Sequence, residues 1–162
     1  MKKIIIAIDS FKGCLTSAEA GKAAEKGIKS INPSCHTSVI PIADGGEGLL
    51  DVLIRATKGK YITLSAHGPL MKMAKTHYGL SGNGRTAIIE MAAISGLPLV
   101  PIEQRNPMLT TTFGTGELIK DALNKGCRNF IIGIGGSATN DAGLGMLQLS
   151  LIHISEPTRQ AE

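Results

Sequence analysis

The chain has 162 residues, of which 43% are hydrophobic and 19% are charged, and 20 residues are glycine. This composition predicts a globular protein and excludes disordered, collagen-like and coiled-coil chains, each of which needs a more skewed composition. Seventeen Lys and Arg against 13 Asp and Glu give a net charge of +4, but the basic residues are scattered and Trp is absent, so we expect no nucleic-acid partner.

The first predicted unit is a strand, a loop and a helix. Lys2 to Ile8 is β-branched and apolar, which predicts a strand. Thr16 and Glu19 have the spacing of a capping box, so a helix should start there and end near Ser30. The apolar run is too short for a membrane span or an export signal, and the three cysteines match no disulfide or metal spacing. We therefore expect a cytoplasmic protein with no membrane partner.

The second predicted unit repeats this order. A strand over about His36 to Ile42 leads to a helix that starts near Leu49, with Gly59 as its expected C-cap. Two βα units in succession predict a parallel pair of strands. We therefore expect an α/β fold whose first domain is flavodoxin-like or Rossmann-like.

The pattern then changes to one typical of antiparallel strands. Tyr78 to Leu80 and Ala87 to Ile89 flank the turn signal Ser81-Gly82-Asn83-Gly84, which predicts a hairpin. A helix over about Thr115 to Lys125 and an apolar strand over Asn129 to Ile134 follow. These elements predict a second domain of mixed α/β type.

We place the domain boundary near His67-Gly68-Pro69, where a Gly-Pro step separates the two patterns. Residues 1–67 then form the first part of an α/β domain, and residues 68–148 form the start of a second, incomplete domain. The last segment, 149–162, interrupts a helical pattern and resembles the translation of a sequencing adapter. We expect it to be an artefact and exclude it from fold reasoning.

Three loops follow predicted strands, at the edge where open α/β sheets bind ligands. In the first loop, Asp9 can hold a cation or accept a hydroxyl proton, and Ser10 can donate a hydrogen bond. Lys12 can neutralise a phosphate or a carboxylate as a compact charge. The alternative is that Asp9 and Ser10 serve only as turn and cap residues.

The second loop combines two acids with three glycines at the start of a helix. Asp44 and Glu47 suit Mg²⁺ binding or a general-base role. Gly45, Gly46 and Gly48 let the backbone approach a ligand closely, where helix amides converge. The alternative is a glycine-rich turn without a ligand, in which the acids interact only with the helix dipole.

The third loop, Gly133 to Asp141, follows a buried-looking strand and offers donors that suit a phosphate or a polyol acid. The donors and acceptors are the amides of Gly135 and Gly136 and the side chains of Ser137, Asn140 and Asp141. Gly133 to Ala138 also fits the G-x-G-x-x-A fingerprint, so a dinucleotide-binding oxidoreductase module is the alternative function.

Taken in order, these motifs resemble those of the bacterial type I glycerate kinase family, of which the chain is identified as an N-terminal part. The matching motifs are Ile6 to Gly13, Ala43 to Gly48, Ile89 to Ala93, Arg105 to Pro107, Thr110 to Glu117 and Gly133 to Asp141. The resemblance implies ATP-dependent phosphorylation of D-glycerate with Mg²⁺, giving 2-phosphoglycerate rather than 3-phosphoglycerate, in a two-domain α/β enzyme. It leaves the oligomeric state open.

The same resemblance implies roles for the matching residues. Asp44 would be the metal ligand or the base that orients the hydroxyl, Lys12 would neutralise phosphate or carboxylate charge, and Arg105 would bind the glycerate carboxylate. The remaining cleft residues would be Asp9, Ser10, Gly45, Gly46, Glu47, Gly135, Gly136, Ser137, Asn140 and Asp141. The chain departs from the family at Ala142, where glycine is common, and more seriously in its length. Because the missing strands would leave sheet edges and apolar faces uncovered, we expect it to be inactive alone and prone to aggregate.

Overall fold

The computed structural model describes residues 3–150 of the chain. The strands are β1 (Lys3–Ile6), β2 (His36–Val39), β3 (Lys60–His67), β4 (Met73–Leu80), β5 (Thr86–Glu90) and β6 (Asn129–Gly133). The helices are α1 (Ser17–Ile31), α2 (Leu49–Thr57), α3 (Ala92–Ser95), α4 (Phe113–Asn124) and α5 (Leu144–Ser150), with two 3-10 turns at Leu97–Leu99 and Ile102–Gln104. The predicted α/β class is confirmed.

The first two strands form a parallel pair, as predicted, in register from Lys3 opposite His36 to Ile6 opposite Val39. The predicted capping box starts α1: the Glu19 amide donates to Thr16 Oγ1 at 3.2 Å, and the Thr16 amide donates to Glu19 Oε2 at 2.9 Å. Helix α1 lies so close to β2 that a Cβ on Gly21 would stand 2.4 Å from Val39 Cγ1.

The other four strands form one mixed sheet in the order β3-β4-β5-β6. Strands β3, β4 and β5 are antiparallel neighbours, and β5 pairs with β6 in parallel. The predicted hairpin around Ser81 to Gly84 is confirmed, because Leu80 pairs with Ala87 on either side of it. Within residues 3–150, no helix is both long enough and apolar enough to cross a membrane.

Alternation along β5 buries both faces of this sheet. Ala87 and Ile89 belong to a core shared with Leu118 of α4, whereas Ile88 packs with Leu50 of α2. Successive side chains of a strand point to opposite faces, so one apolar strand holds a helix on each side. The sheet is therefore covered by α2 on one face and by α4 on the other.

This packing differs from the predicted domain division at residues 67 and 68. Strands β3 and β4 lie on either side of that boundary, yet they pair over eight residues, from Lys60 opposite Leu80 to His67 opposite Met73. Helix α2 also precedes the boundary but buries its apolar face on the sheet that follows it. Hydrogen bonding and apolar packing therefore join these elements into one layered unit, and where two domains separate stays a prediction.

Two local expectations also differ from the structure. The left-handed residue after α2 is Lys58, with φ of 53°, and not Gly59. Gly59 is required for space, because a Cβ there would stand 2.4 Å from the Leu80 carbonyl oxygen. The segment 149–162 does not interrupt its helix at once, since α5 continues to Ser150; the rest of that segment lies outside the described residues.

Candidate functional site

A cleft of about 520 Å³ lies where the β1–α1 loop faces the start of α2 and the second sheet. Ser10 and Cys14 line it from the β1–α1 loop, and Glu47 lines it from the loop before α2. His77 of β4 and Glu90 of β5 form part of its wall. The cleft thus joins two of the loops that the sequence singled out.

Acidic side chains outnumber basic ones in this cleft. Glu19, Glu47, Asp51 and Glu90 line it, against Arg55 as the cation that is charged throughout the neutral range. Hydrogen bonds from the Thr16 amide and hydroxyl hold the pKa of Glu19 below its usual value. A cleft lined mainly by negative charges binds hydroxyl groups and cations more readily than an anion without a counter-ion.

Glu90 is a half-buried carboxylate that the sequence analysis did not select as a site residue. Its Oε1 accepts a hydrogen bond from the Leu50 amide at 2.7 Å. Burial raises the pKa of Glu90, partly opposed by the Leu50 amide and by the nearby Gly48 amide. The sequence did contain one indication of it, because Glu90 is an acidic residue at the end of the buried apolar strand Thr86–Glu90.

The second and third loops are in direct backbone contact. The Gly135 amide donates to the Gly45 carbonyl at 3.2 Å. A Cβ on Gly135 would stand 2.6 Å from Gly46 Cα, and a Cβ on Gly133 would stand 2.6 Å from the Gly45 oxygen. These glycines therefore allow two loops that are distant in sequence to pack against each other. Asp44 is exposed beside this contact, with Oδ1 accepting from the Gly46 amide at 3.0 Å.

A second cavity, of about 270 Å³, brings Arg105 and Ser137 together. Arg105 Nε donates to the Val100 carbonyl at 3.3 Å, and Ser137 Oγ accepts from the Thr139 amide at 3.1 Å. Thr110 also lines this cavity, and none of the described residues that line it is acidic. A guanidinium beside hydroxyl groups, without a competing carboxylate, suits a small anion.

Asp141 is bound within the chain and lines neither cavity. Its Oδ2 accepts from the Thr112 amide and hydroxyl, both at 2.8 Å, and its Oδ1 accepts from the Gly143 amide at 3.0 Å. Burial alone would raise the pKa of Asp141, but these bonds and one from the Gly145 amide lower it below the usual value. Asp141 therefore connects the starts of α4 and α5.

The remaining predicted residues line neither cavity. Asp9 Oδ1 accepts from the Ser10 amide at 2.7 Å, which is the turn role that the sequence left open. Lys12 and Asn140 are exposed on their loops. Gly136 has a positive φ of 75° and its carbonyl accepts from the Leu97 amide at 3.0 Å. The predicted set is therefore divided between two cavities, a loop contact and exposed loop positions.

The third loop does not have the geometry of a dinucleotide fingerprint. In that motif the glycine turn opens directly into a helix whose amides meet the pyrophosphate. Here Ser137 instead pairs with Gly96, and the next helix starts only at Leu144. The glycines contact protein backbone, as at Gly135. The structure thus gives the oxidoreductase alternative no support.

A protein-only metal cluster is not present in residues 3–150, where no group of three or more His, Cys, Asp or Glu could hold an ion. Mg²⁺ in kinases is usually held by one or two carboxylates together with substrate phosphates and water. The exposed carboxylate of Asp44, with one oxygen bound to the Gly46 amide, fits that kind of partial site.

Comparison with known proteins identifies the family. The model of the glycerate kinase family matches residues 4–155. The chain is 57% identical to glycerate kinase of Haemophilus influenzae, covering 90% of this chain and 39% of the relative. It is 52% identical to glycerate 2-kinase of Escherichia coli, covering 90% of this chain and 38% of the relative.

A solved structure gives the same result. A crystal structure assigned to glycerate kinase 2 of Salmonella typhimurium LT2 superposes with a TM-score of 0.78 at 49% identity, covering 91% of this chain and 40% of that one. The chain therefore spans about two fifths of the length of the relatives it matches. On the evidence of sequence and fold together, the chain belongs to the glycerate kinase family.

Proposed function

We propose that this chain forms part of an ATP-dependent kinase that phosphorylates D-glycerate to 2-phosphoglycerate. The observation that carries the proposal is the family match over residues 4–155, together with 52% identity to a relative named glycerate 2-kinase. The two acidic and glycine-rich loops support it, because phosphoryl transfer needs backbone amides, cations and an acid around one reacting centre.

Asp44 is the proposed base and metal-binding residue. Its Oδ1 is oriented by the Gly46 amide, so Oδ2 would accept the proton of the glycerate hydroxyl. As that proton leaves, the hydroxyl oxygen bonds to the γ-phosphorus of ATP, and the bond from phosphorus to the ADP oxygen breaks. Mg²⁺, held by Asp44 and the phosphates, would supply charge neutralisation. Lys12 would add a positive charge from the neighbouring loop.

The Arg105 cavity is the proposed site for the glycerate carboxylate. Arg105 and Ser137 line it without an acidic neighbour, whereas the larger cleft is lined by several carboxylates. The Arg105 guanidinium would attract a small anion in this cavity, whereas the carboxylates of the larger cleft would repel it. The smaller volume, about 270 Å³, also suits a three-carbon acid better than a nucleotide.

A chimera tests the proposal. Residues 1–148 would replace the matching part of the Haemophilus influenzae relative, and ADP release would be followed with D-glycerate and ATP. We expect activity within about tenfold of the relative, and a loss of at least 100-fold in Asp44→Asn. An inactive chimera whose circular dichroism and melting match the relative would contradict the function. Full activity in Asp44→Asn would remove Asp44 from the mechanism.

The product is identified by the ³¹P spectrum. A phosphate on C2 couples to one carbon-bound proton and gives a doublet, whereas a phosphate on C3 couples to two. A doublet supports the 2-phosphorylation that we propose, and a triplet-like pattern contradicts it.

We propose that the partners are the small molecules ATP and D-glycerate only. We also propose that the protein is located in the cytoplasm.

A further inference from the structure

The start of helix α2 has no cap of its own. Its N-cap residue is Gly48, at φ of 91°, which has no side chain to accept a hydrogen bond from the first helical amides. Those amides lack partners within the helix and need acceptors from elsewhere. The Leu49 amide donates to the Gly46 carbonyl at 3.3 Å. Glu90, 40 residues away in sequence, supplies the next acceptor: its Oε1 accepts from the Leu50 amide at 2.7 Å, and the Gly48 amide lies near the same carboxylate.

Glu90 also stands opposite the third loop. It is paired in register with Gly133 at the end of β6. A Cβ on Gly133 would stand 2.6 Å from the Gly45 carbonyl oxygen, and the Gly135 amide donates to that oxygen. The loop 44–48 is therefore held at both ends, at Gly45 by β6 and its following turn and just after Gly48 by the bond from the Leu50 amide to Glu90.

We propose that Glu90 is a positioning residue whose carboxylate fixes the start of α2 and the loop 44–48 before it, which carries Asp44 and places Glu47 at the wall of the larger cleft. This inference rests on the proposed function, because it assigns a role within the same site. In this proposal Glu90 acts through the Leu50 amide, at the start of the helix that follows the loop.

The surroundings of Glu90 distinguish this role from a simple helix cap. Asp51 of α2 and His77 of β4 lie close enough to act on its charge, and Arg55 and Glu47 line the same cleft. Burial raises the pKa of Glu90, and Asp51 raises it further while His77 lowers it. Keeping a charge here therefore opposes folding.

A glutamine at this position would avoid that cost. Its single carbonyl oxygen could still accept from the Leu50 amide, but its NH₂ group is a donor and it carries no negative charge to attract the Gly48 amide nearby. If Glu90 were only a cap, Glu90→Gln would leave the loop and the activity unchanged. If Glu90 positions the loop, this variant keeps the helix but holds the residues before it less firmly.

The first test follows amide signals of residues 1–148 within the chimera described above by NMR as the pH is lowered. We expect the Gly48 and Leu50 amides and the amides of residues 44–47 to shift with one common midpoint above that of an ordinary glutamate. In Glu90→Gln this common transition should be absent, whereas Glu103→Gln, an exposed control, should retain it. Amides of residues 44–47 that do not follow the Gly48 transition would overturn the proposal.

The second test uses the chimera described above. Glu90→Gln should lower kcat at least tenfold and leave KM for both substrates within about threefold, because the loop carries the proposed base. Its melting temperature should equal or exceed that of the parent. Unchanged kcat would overturn the positioning role. If the parent chimera is inactive, the proposed function fails, while the NMR result still decides whether Glu90 holds the loop.

Discussion

Asp141 offers a direct test of how the structure holds together, because one carboxylate there serves five donors. Its Oδ2 accepts from the Thr112 amide and hydroxyl at 2.8 Å, from the Thr111 hydroxyl at 3.3 Å and from the Gly145 amide at 3.2 Å. Its Oδ1 accepts from the Gly143 amide at 3.0 Å. The perturbation is Asp141→Ala, which removes every acceptor at once.

The expected loss follows from the number of donors. A hydrogen bond to a charged group contributes about 1.5–3 kcal/mol, but donors that share one carboxylate are not additive. We therefore expect Asp141→Ala to lower the free energy of unfolding by about 3–5 kcal/mol, which corresponds to roughly 10 °C in Tm. Asp141→Asn retains one oxygen that can take the Oδ2 position, so it should lose about half as much.

Urea unfolding followed by circular dichroism measures this loss, since the chain has no Trp to report on folding. Glu103→Gln, at an exposed position, is the control and should stay within about 0.5 kcal/mol of the parent. A change in Asp141→Ala as small as that in the control would refute the view that this carboxylate connects α4 and α5.

The same carboxylate makes stability depend on pH. Because the pKa of Asp141 is lower in the folded chain than in the unfolded one, its contribution is complete above the ordinary aspartate pKa of about 3.9. The contribution is lost as the pH falls below that value and through the folded pKa. In this acidic range Asp141→Ala should therefore lose less stability than the parent. Parallel losses in both proteins would contradict the assignment.

Three further predictions concern single residues. Ala142 has φ of 52°, so Ala142→Gly should raise the free energy of unfolding by about 1 kcal/mol, measured in urea; destabilisation would show that the left-handed conformation carries no strain. Gly135→Ala would place a Cβ 2.6 Å from Gly46 Cα and should lower that free energy by about 1–3 kcal/mol, and an unchanged value would contradict the close contact of the two loops. Cys14 is exposed and the other two cysteines are buried, so a thiol reagent should modify one cysteine rapidly in the native chain and all three in denaturant. Rapid modification of all three cysteines in the native chain would contradict this burial.

The local pattern of the chain was enough to predict most of its elements. The capping box at Thr16 and Glu19 and the hairpin around Ser81 to Gly84 depend on short-range chemistry. The parallel order of β1 and β2 follows from the general rule for strand-helix-strand units once the strands and the helix are recognised locally. A resemblance of motifs was enough to indicate the family. These features are readable because capping, turn formation and strand alternation are decided by residues within a few positions of each other.

The tertiary structure decided which loops meet and what each polar residue does. The sequence placed Glu90 only within a family motif after an apolar strand and placed Asp141 in a ligand-binding loop. In the structure Glu90 lines the larger cleft, and Asp141 is bound to Thr112 and its neighbours. It also placed α2 on the second sheet, which a boundary near residue 67 did not anticipate. Donors and acceptors that lie 30 or 40 residues apart in the chain meet only once both faces of the sheet are covered, and no local pattern specifies those distances.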